Sequence, residues 1–306
     1  MYQKTEKIWM DGRFVSWGDA NVHVLTHTLH YGVGIFEGIR YYDCGSKGTA
    51  VFRLRDHMRR FDESARIVEM KLPYRVSDLV EACVKTVREN KLKEGYLRPL
   101  AFITGAPGMG IWAYDNPISV AIITWGWGAY LGAEGVTRGI RMKTSSYTRH
   151  HRNIGMTKAK VCGQYFNSVL AKREAKMSGY DEALLLDPEG YVAEATGENL
   201  FMVRDGVVRT PPLGSILSGL TRNTVMTLLR EWGTPVVEEQ LTRDDLYVAD
   251  EVFLTGTAAE VTPVREVDTR IVGAGKPGPM TQKIQNAYGD LIRGKNDKHK
   301  EWLTFV

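Results

Sequence analysis

Two lysines stand one residue apart in MTKAKVCGQY, residues 156–165. A lysine that bonds covalently to a carbonyl must spend part of its time neutral. Burial and a nearby cation bring this about, from an ordinary pKa of about 10.4. Lys160 has small and apolar neighbours in VCG and a tyrosine, Tyr165, five positions on. Lysines are nearly always solvated, so the pattern alone leaves a chemical and a surface reading of the pair both open.

His23, His27 and His30 in HVLTHTLHYG would share one face of a helix, as a zinc site requires. The glutamate of an HExxH hydrolase is absent, and Val24, Leu25 and Leu29 suggest a buried segment whose histidines are satisfied by hydrogen bonds. A zinc hydrolase is the alternative, and no metal is expected. GAPGMG, residues 105–110, lacks the Lys-Ser/Thr of a phosphate loop and reads as a mobile loop. TRHHRN, residues 148–153, is a basic cluster without interleaved aromatics, so it does not make a nucleic-acid surface. In ILSGLTRNTV and FLTGTAAE the chain reaches two junctions that read as starts of helices, where free N–H groups suit a phosphate or carboxylate. Both junctions together with a candidate lysine favour a phosphate-bearing aldehyde cofactor.

The elements that would position these residues follow from patterning. KIWMDGRFVSW is a hairpin about Asp11-Gly12, and Asp205-Gly206 turns a second one in NLFMVRDGVVR. In RDHMRRFDESARIV, Met58, Phe61, Ala65 and Val68 recur at helical spacing, and a second helix opens at Ser77 as its N-cap. YLRPLAFIT, ISVAIITW, EALLLD, YVAEA and DEVFLTG read as strands, and further helices as Lys160–Lys176, Leu220–Trp232 and Met280–Arg293. The Gly-rich GWGAYLGAEG divides the chain into a small N-terminal α/β domain, 1–125, a linker, 126–135, and a large domain, 136–306, carrying Lys160.

The 306 residues suffice for two such domains. Three scattered cysteines without CxxC spacing argue against a disulfide framework or zinc ribbon. A net charge of +4 does not demand nucleic acid, and no apolar run reaches membrane-spanning length, so a cytoplasmic enzyme is expected.

HTLHYGVGIFEGIR (27–40), FRLRDHMRR, YLRPL, WGAYLGAEG, GYVAEATGENLF, TPP, GLTR and DEVFLTGTAAEVTPV together resemble the branched-chain amino acid aminotransferases. These belong to the class IV group, fold type IV, of pyridoxal 5'-phosphate (PLP) enzymes. The resemblance runs from about Ile8 to Tyr288 and implies two mixed α/β domains. It also implies a cytoplasmic homodimer or higher homo-oligomer, with L-leucine, L-isoleucine or L-valine and 2-oxoglutarate as substrates and a role in branched-chain amino acid biosynthesis. Lys160, in AK-x-x-G-x-Y, becomes the Schiff-base lysine and Lys158 a surface residue. Glu194 faces the pyridine nitrogen, where a negative charge favours the protonated ring. Tyr165 bonds the phenolic oxygen. Arg60, Thr221, Thr257 and the Leu220 N–H hold the phosphate, and Leu217 and Gly197 flank the ring. The substrate pocket falls on Phe36, Gly38, Tyr96, Met109, Trp127, Tyr130, Thr257 and Ala258, with Tyr31 and the GAPGMG loop supplied by the neighbouring subunit. A γ-carboxylate in an apolar pocket needs a cation, which Arg98 supplies with help from Arg40. D-amino acid aminotransferase is the nearest alternative, since it shares the lysine and the glutamate.

Overall fold

In a computed structural model, which describes residues 3–105, 107–112, 115–128 and 130–306, the chain divides into two compact units. The first comprises Met1–Gly128, Ala159–Gln164 and Asp290–Val306, and the second Ala129–Lys158 and Tyr165–Gly289. The expected single cut after residue 125 misses the two returns: the six residues around Lys160 and the C-terminal tail belong with the first unit.

The first unit is an eight-stranded sheet. Its order runs Leu303–Phe305, Thr49–Phe52, Ile39–Asp43, Gly95–Ile103, Ile118–Trp125, Lys7–Met10, Arg13–Ser16, and Gly34–Phe36 also pairs with Gly95–Ile103. The Lys7–Ser16 hairpin forms where DG placed it, with Asp11 at φ 48° and Gly12 at φ 89°, both in the left-handed region that primed turns require. Helix Leu54–Ile67 buries Met58, Phe61 and Ala65, the spacing read from the sequence, against Leu79 and Cys83 of helix Val76–Asn90 and Ile39, Leu97 and Ile122 of the sheet. That second helix starts one residue before Ser77: Arg75 holds the cap position, and Asp78 accepts its N–H at 3.2 Å, which takes the role assigned to the serine.

The second unit is a nine-stranded mixed sheet. Its path is Val192–Ala195, Glu182–Leu186, Ile140–Thr144, Glu260–Val267, Glu251–Gly256, Asn199–Arg204, Val207–Thr210, Val236–Glu238, with Arg270–Ile271 paired to Glu260–Val267. Helices Tyr165–Met177, Leu220–Glu231 and Pro279–Ile292 accompany it. The helix expected from Lys160 begins only at Tyr165, after a 3-10 turn over Cys162–Gln164. FLTGTAAE likewise proves to be no helix junction: strand Glu251–Gly256 turns through Thr257–Ala259 straight into Glu260–Val267.

No helix among the described residues is long and apolar enough to cross a membrane.

Candidate active site

The first unit gathers eight of the residues singled out by sequence around strand Gly34–Phe36 and its neighbours. Lys160 lies in an extended segment stitched to that strand: Ile35 pairs with Val161, and the Phe36 N–H donates to the Lys160 carbonyl at 3.1 Å. On the other side the Lys160 N–H donates to Ser64 Oγ at 3.0 Å. Ala159 and Val161 are buried in the core, which explains the small and apolar flank, while Lys158 is exposed. Close approach also explains the glycine of AKxxG: a Cβ on Gly163 would lie 3.2 Å from the Gly32 carbonyl oxygen, to which the Gly163 N–H donates. The Lys160 backbone is thus pinned on both sides, and its Nζ lies 4.8 Å from the Phe36 ring centre.

Arg60 is held by a partner the sequence reading did not assign. Glu37, fully buried, accepts from Arg60 Nε at 2.7 Å and Nη2 at 2.9 Å, and from His57 Nδ1 at 2.7 Å. Burial by itself would push Glu37 up, but the Arg60 guanidinium and then His57 hold its carboxyl below the usual carboxylate range. Burial pushes His57 down despite Glu37, so the imidazole is neutral and its Nδ1–H donates. The carboxylate fixes the guanidinium in a bidentate fork. Nothing in the sequence marked Glu37 except an acid inside the apolar run GIFEGI.

Further along the same sheet, Gly38 leaves room for Tyr96: a Cβ there would stand 1.8 Å from the Tyr96 hydroxyl. Tyr96 meets Trp127 edge to face at 4.8 Å. The Arg98 guanidinium carbon lies 4.7, 5.5 and 5.8 Å from the ring centres of Phe36, Tyr96 and Trp125. Its Nε is buried without a hydrogen-bond partner, and no carboxylate pairs with it among the described residues. Arg40 differs, because its Nη2 donates to the Trp127 carbonyl at 2.9 Å. Arg98 is the cation with capacity to spare, while Arg40 holds backbone.

Tyr31 and Met109 also lie in the first unit, where the Tyr31 hydroxyl donates to the Met109 carbonyl at 2.9 Å. Ala106 of the GAPGMG loop lies outside the described residues. The three histidines do not converge. The helix covers only His27–Tyr31, His23 Nδ1 accepts the Leu25 N–H, His30 Nε2 bonds the Val24 carbonyl, and His27 Nε2 bonds that of Gly110. No group of three metal-binding side chains occurs among the described residues. The expected burial of this segment is also corrected: Val24 and Leu25, which precede the helix, are 73% and 48% exposed, and Leu29 is 63% exposed because the five-residue helix buries only His27.

The second unit carries Tyr130, Tyr165, Glu194, Gly197, Leu217, Leu220, Thr221, Thr257 and Ala258. Glu194, on strand Val192–Ala195, is buried and surrounded by donors: Asn199 Nδ2 at 3.0 Å and the Leu217 N–H at 3.2 Å reach Oε2, and Arg149 Nε stands 2.9 Å from Oε1. The last contact is charge against charge, since that N–H is not aimed at the oxygen. It gives TRHHRN a role that the sequence did not disclose, and His150 Nδ1 in turn meets Arg149 Nη1 at 3.1 Å. Burial, then the Arg149 charge, pushes His150 down to about 4, so it is neutral. Asn199 explains Gly219, where a Cβ would fall 1.9 Å from Asn199 Oδ1.

Gly197 is exposed between buried Thr196 and Glu198, and nothing lies within 4 Å of where its Cβ would be. A flat ring can lie against such a surface. Thr221, buried, sits in the first turn of helix Leu220–Glu231, as expected, so its hydroxyl and the free N–H groups there suit a phosphate. Behind Gly197, Glu182 pairs with Lys172 at 2.5 Å and accepts from Thr196 Oγ1 at 2.7 Å. Burial, then the Glu182 charge, pushes the neighbouring Glu198 carboxyl up to about 8.

Each unit carries residue types that fit PLP: a lysine amine and a forked guanidinium in the first, and a phenol, a buried carboxylate ringed by donors and an open glycine face in the second. The chain belongs to the class IV aminotransferases, whose family model matches residues 34–267. Among its relatives, the Pseudomonas aeruginosa branched-chain-amino-acid aminotransferase is 54% identical over 98% of this chain and 97% of its own length. That of Escherichia coli K12 is 46% identical over 99% and 98%. The crystal structure of the E. coli enzyme superposes with a TM-score of 0.95, at 46% identity, over 98% of this chain and 99% of its own. The branched-chain aminotransferase from the archaeon Thermoproteus uzoniensis, solved with norvaline, gives 0.93 at 44% identity, over 98% of this chain and 99% of its own.

Proposed function

We infer that this chain is a branched-chain-amino-acid transaminase, moving an amino group reversibly between L-leucine, L-isoleucine or L-valine and 2-oxoglutarate with PLP as cofactor. Relatives named for that activity align over nearly its whole length. Crystal structures of another such relative hold pyridoxamine 5'-phosphate in one case and N-(5'-phosphopyridoxyl)-L-glutamate in the other. The observation in this chain that carries the reading is Arg98, a cation without a carboxylate partner set among aromatic rings. Such a setting receives an aliphatic side chain by contact and a γ-carboxylate by charge, which one pocket must do to serve both substrates.

In this reading PLP supplies a reactive aldehyde and an electron sink for the substrate Cα. Lys160 would be the covalent anchor, and its Nζ would be the amine that receives and gives back the substrate proton, general acid–base work by one residue. Its pinned backbone leaves only side-chain motion between the two tasks. Glu194, held by Arg149, Asn199 and the Leu217 N–H, would be the carboxylate for the pyridine nitrogen. Tyr165 would bond the phenolic oxygen. Arg60, steadied by Glu37, would hold the phosphate with Thr221, Thr257 and the Leu220 N–H, and Leu217 and Gly197 would flank the ring. Tyr96 and the Thr257–Ala258 backbone hold the α-carboxylate, and Phe36, Gly38, Trp127, Tyr130 and Arg40 complete the pocket.

We place Tyr31 and Met109 in the pocket of a second copy, in a cytoplasmic homodimer. Leu25, Leu29, Tyr31, Ile111 and Trp112 are all exposed, the last two at 89% and 78%, an apolar surface that a second copy would cover. A donor panel against 2-oxoglutarate tests the assignment. L-leucine, L-isoleucine and L-valine should react and D-leucine should not, whereas turnover of D-leucine or D-alanine in preference would favour a D-amino acid aminotransferase.

A further inference from the structure

Three consecutive carbonyls in the GMG turn each accept a hydrogen bond from a side chain. Asn116 Nδ2 donates to the Gly108 oxygen at 2.8 Å, the Tyr31 hydroxyl to that of Met109 at 2.9 Å, and His27 Nε2 to that of Gly110 at 2.9 Å. Asn116 also donates to the Thr104 carbonyl at 2.6 Å and accepts the Gly108 N–H at 3.1 Å, closing the base of the loop. His27 and Asn116 are 2% and 5% exposed. The His27 bond to a carbonyl fixes the Nε2–H tautomer, and its ring lies 4.5 Å from that of Tyr31.

Two glycines make this turn costly to order and give it no side-chain anchor of its own. Space does not require them: nothing approaches a Cβ on Gly110, and one on Gly108 meets only Asn116 Oδ1 at 4.0 Å. Its shape therefore comes from outside. At the stem, a Cβ on Gly105 would fall 2.1 Å from the Leu25 carbonyl oxygen, so the loop abuts the segment leading into the His27 helix. Between the two glycines stands Met109, half-buried, the one residue of the turn with a long apolar side chain.

We propose that His27 and Asn116 are positioning residues for substrate selection: they fix the turn that presents Met109 to the aliphatic group of a branched-chain substrate. This rests on the assignment of Met109 to the pocket. It also gives His27 a use that is neither metal binding nor simple core satisfaction.

The test is half-reaction kinetics on the holoenzyme of His27→Ala, Asn116→Ala, His27→Gln and Met109→Ala. Loss of one such hydrogen bond is worth about fivefold to tenfold. The KM for L-leucine should rise by about that factor in His27→Ala, and by at least as much in Asn116→Ala, which loses three bonds, at unchanged kcat. The KM for L-glutamate, whose side chain the Arg98 cation anchors, should move less than about twofold, and His27→Gln, which keeps an N–H donor, should recover most of the loss. Leucine and glutamate constants that rise together with a fall in kcat and melting temperature would mean a merely structural role and overturn the proposal. So would wild-type constants in both alanine variants while Met109→Ala raises the leucine KM. If Met109→Ala itself leaves that constant untouched, the pocket assignment falls and this inference with it.

Discussion

Replacing Arg98 by alanine separates the two kinds of substrate that the pocket must accept. The guanidinium carbon stands 4.7 Å from the centre of the Phe36 ring and within 6 Å of two more, and it has no carboxylate partner among the described residues. The rings stabilise an unpaired cation by their quadrupoles, each by about 0.5–1 kcal/mol. A γ-carboxylate arriving from water would gain a charge-assisted hydrogen bond, worth about 1.5–3 kcal/mol. Without the cation the same carboxylate would also enter apolar surroundings unpaired, which adds about 1 kcal/mol or more. The sum corresponds to a rise in the KM for 2-oxoglutarate of about a hundredfold. For 4-methyl-2-oxopentanoate, which brings no second charge, only packing is lost, and the rise should stay under about fivefold. Arg98→Lys keeps the charge without the planar fork and should fall between. The assay is steady-state transamination with each oxo acid, checked by an unchanged PLP absorption spectrum. Equal rises for the two oxo acids would refute the assignment of Arg98 to the γ-carboxylate.

Three further outcomes follow from buried charge. Glu37→Gln leaves the Arg60 guanidinium buried without its counter-charge, so the PLP-free protein should lose about 3–5 kcal/mol in denaturant unfolding, and PLP should restore part of it through its phosphate. Because the Glu37 carboxyl is held below its ordinary range, its contribution is complete above that range and is lost only as pH falls through the depressed value. Glu198 has the opposite sign: its carboxyl sits at about 8, against an ordinary 4.5, so the folded chain keeps a proton that the unfolded chain releases. Stability should therefore decline from about pH 5 to pH 8, by an amount on the order of 2–4 kcal/mol. Glu198→Gln should flatten that slope, and an unaltered slope would remove Glu198 as its source. Arg149→Met and Glu194→Gln should interact in a double-mutant cycle of unfolding free energies by more than about 1 kcal/mol, and additive effects would dissolve the ion pair as an energetic unit.

Elements that depend on local chemistry were the ones legible in the sequence. Asp11-Gly12 could form a primed turn, and Met58, Phe61 and Ala65 could meet a core only from one helical face, so the hairpin and the helix stand where patterning put them. Lys160 was assigned only through the resemblance, because its small and apolar flank permits a chemical role without requiring one; of that flank Ala159 and Val161 are buried, while Gly163 is exposed. What failed depends on tertiary context. The run after Lys160 has helical composition, but its first residues pair with strand Gly34–Phe36, which delays the helix to Tyr165. Glu37 and Asn199 were quoted within motifs without a role, since a buried acid or amide shows its purpose only when its partners, 23 and 18 residues away at Arg60 and Leu217, come into contact. The basic cluster at 148–153 was opaque for the same reason, Glu194 being brought to Arg149 by the sheet.

The central claim is that the Lys160 amine is the covalent anchor for the cofactor. Borohydride reduction of the holoprotein followed by proteolysis and peptide mapping tests this directly. The account predicts one pyridoxyl tag, on Lys160, in the peptide spanning AKVCGQY. A tag on Lys158 or on any other lysine would contradict it.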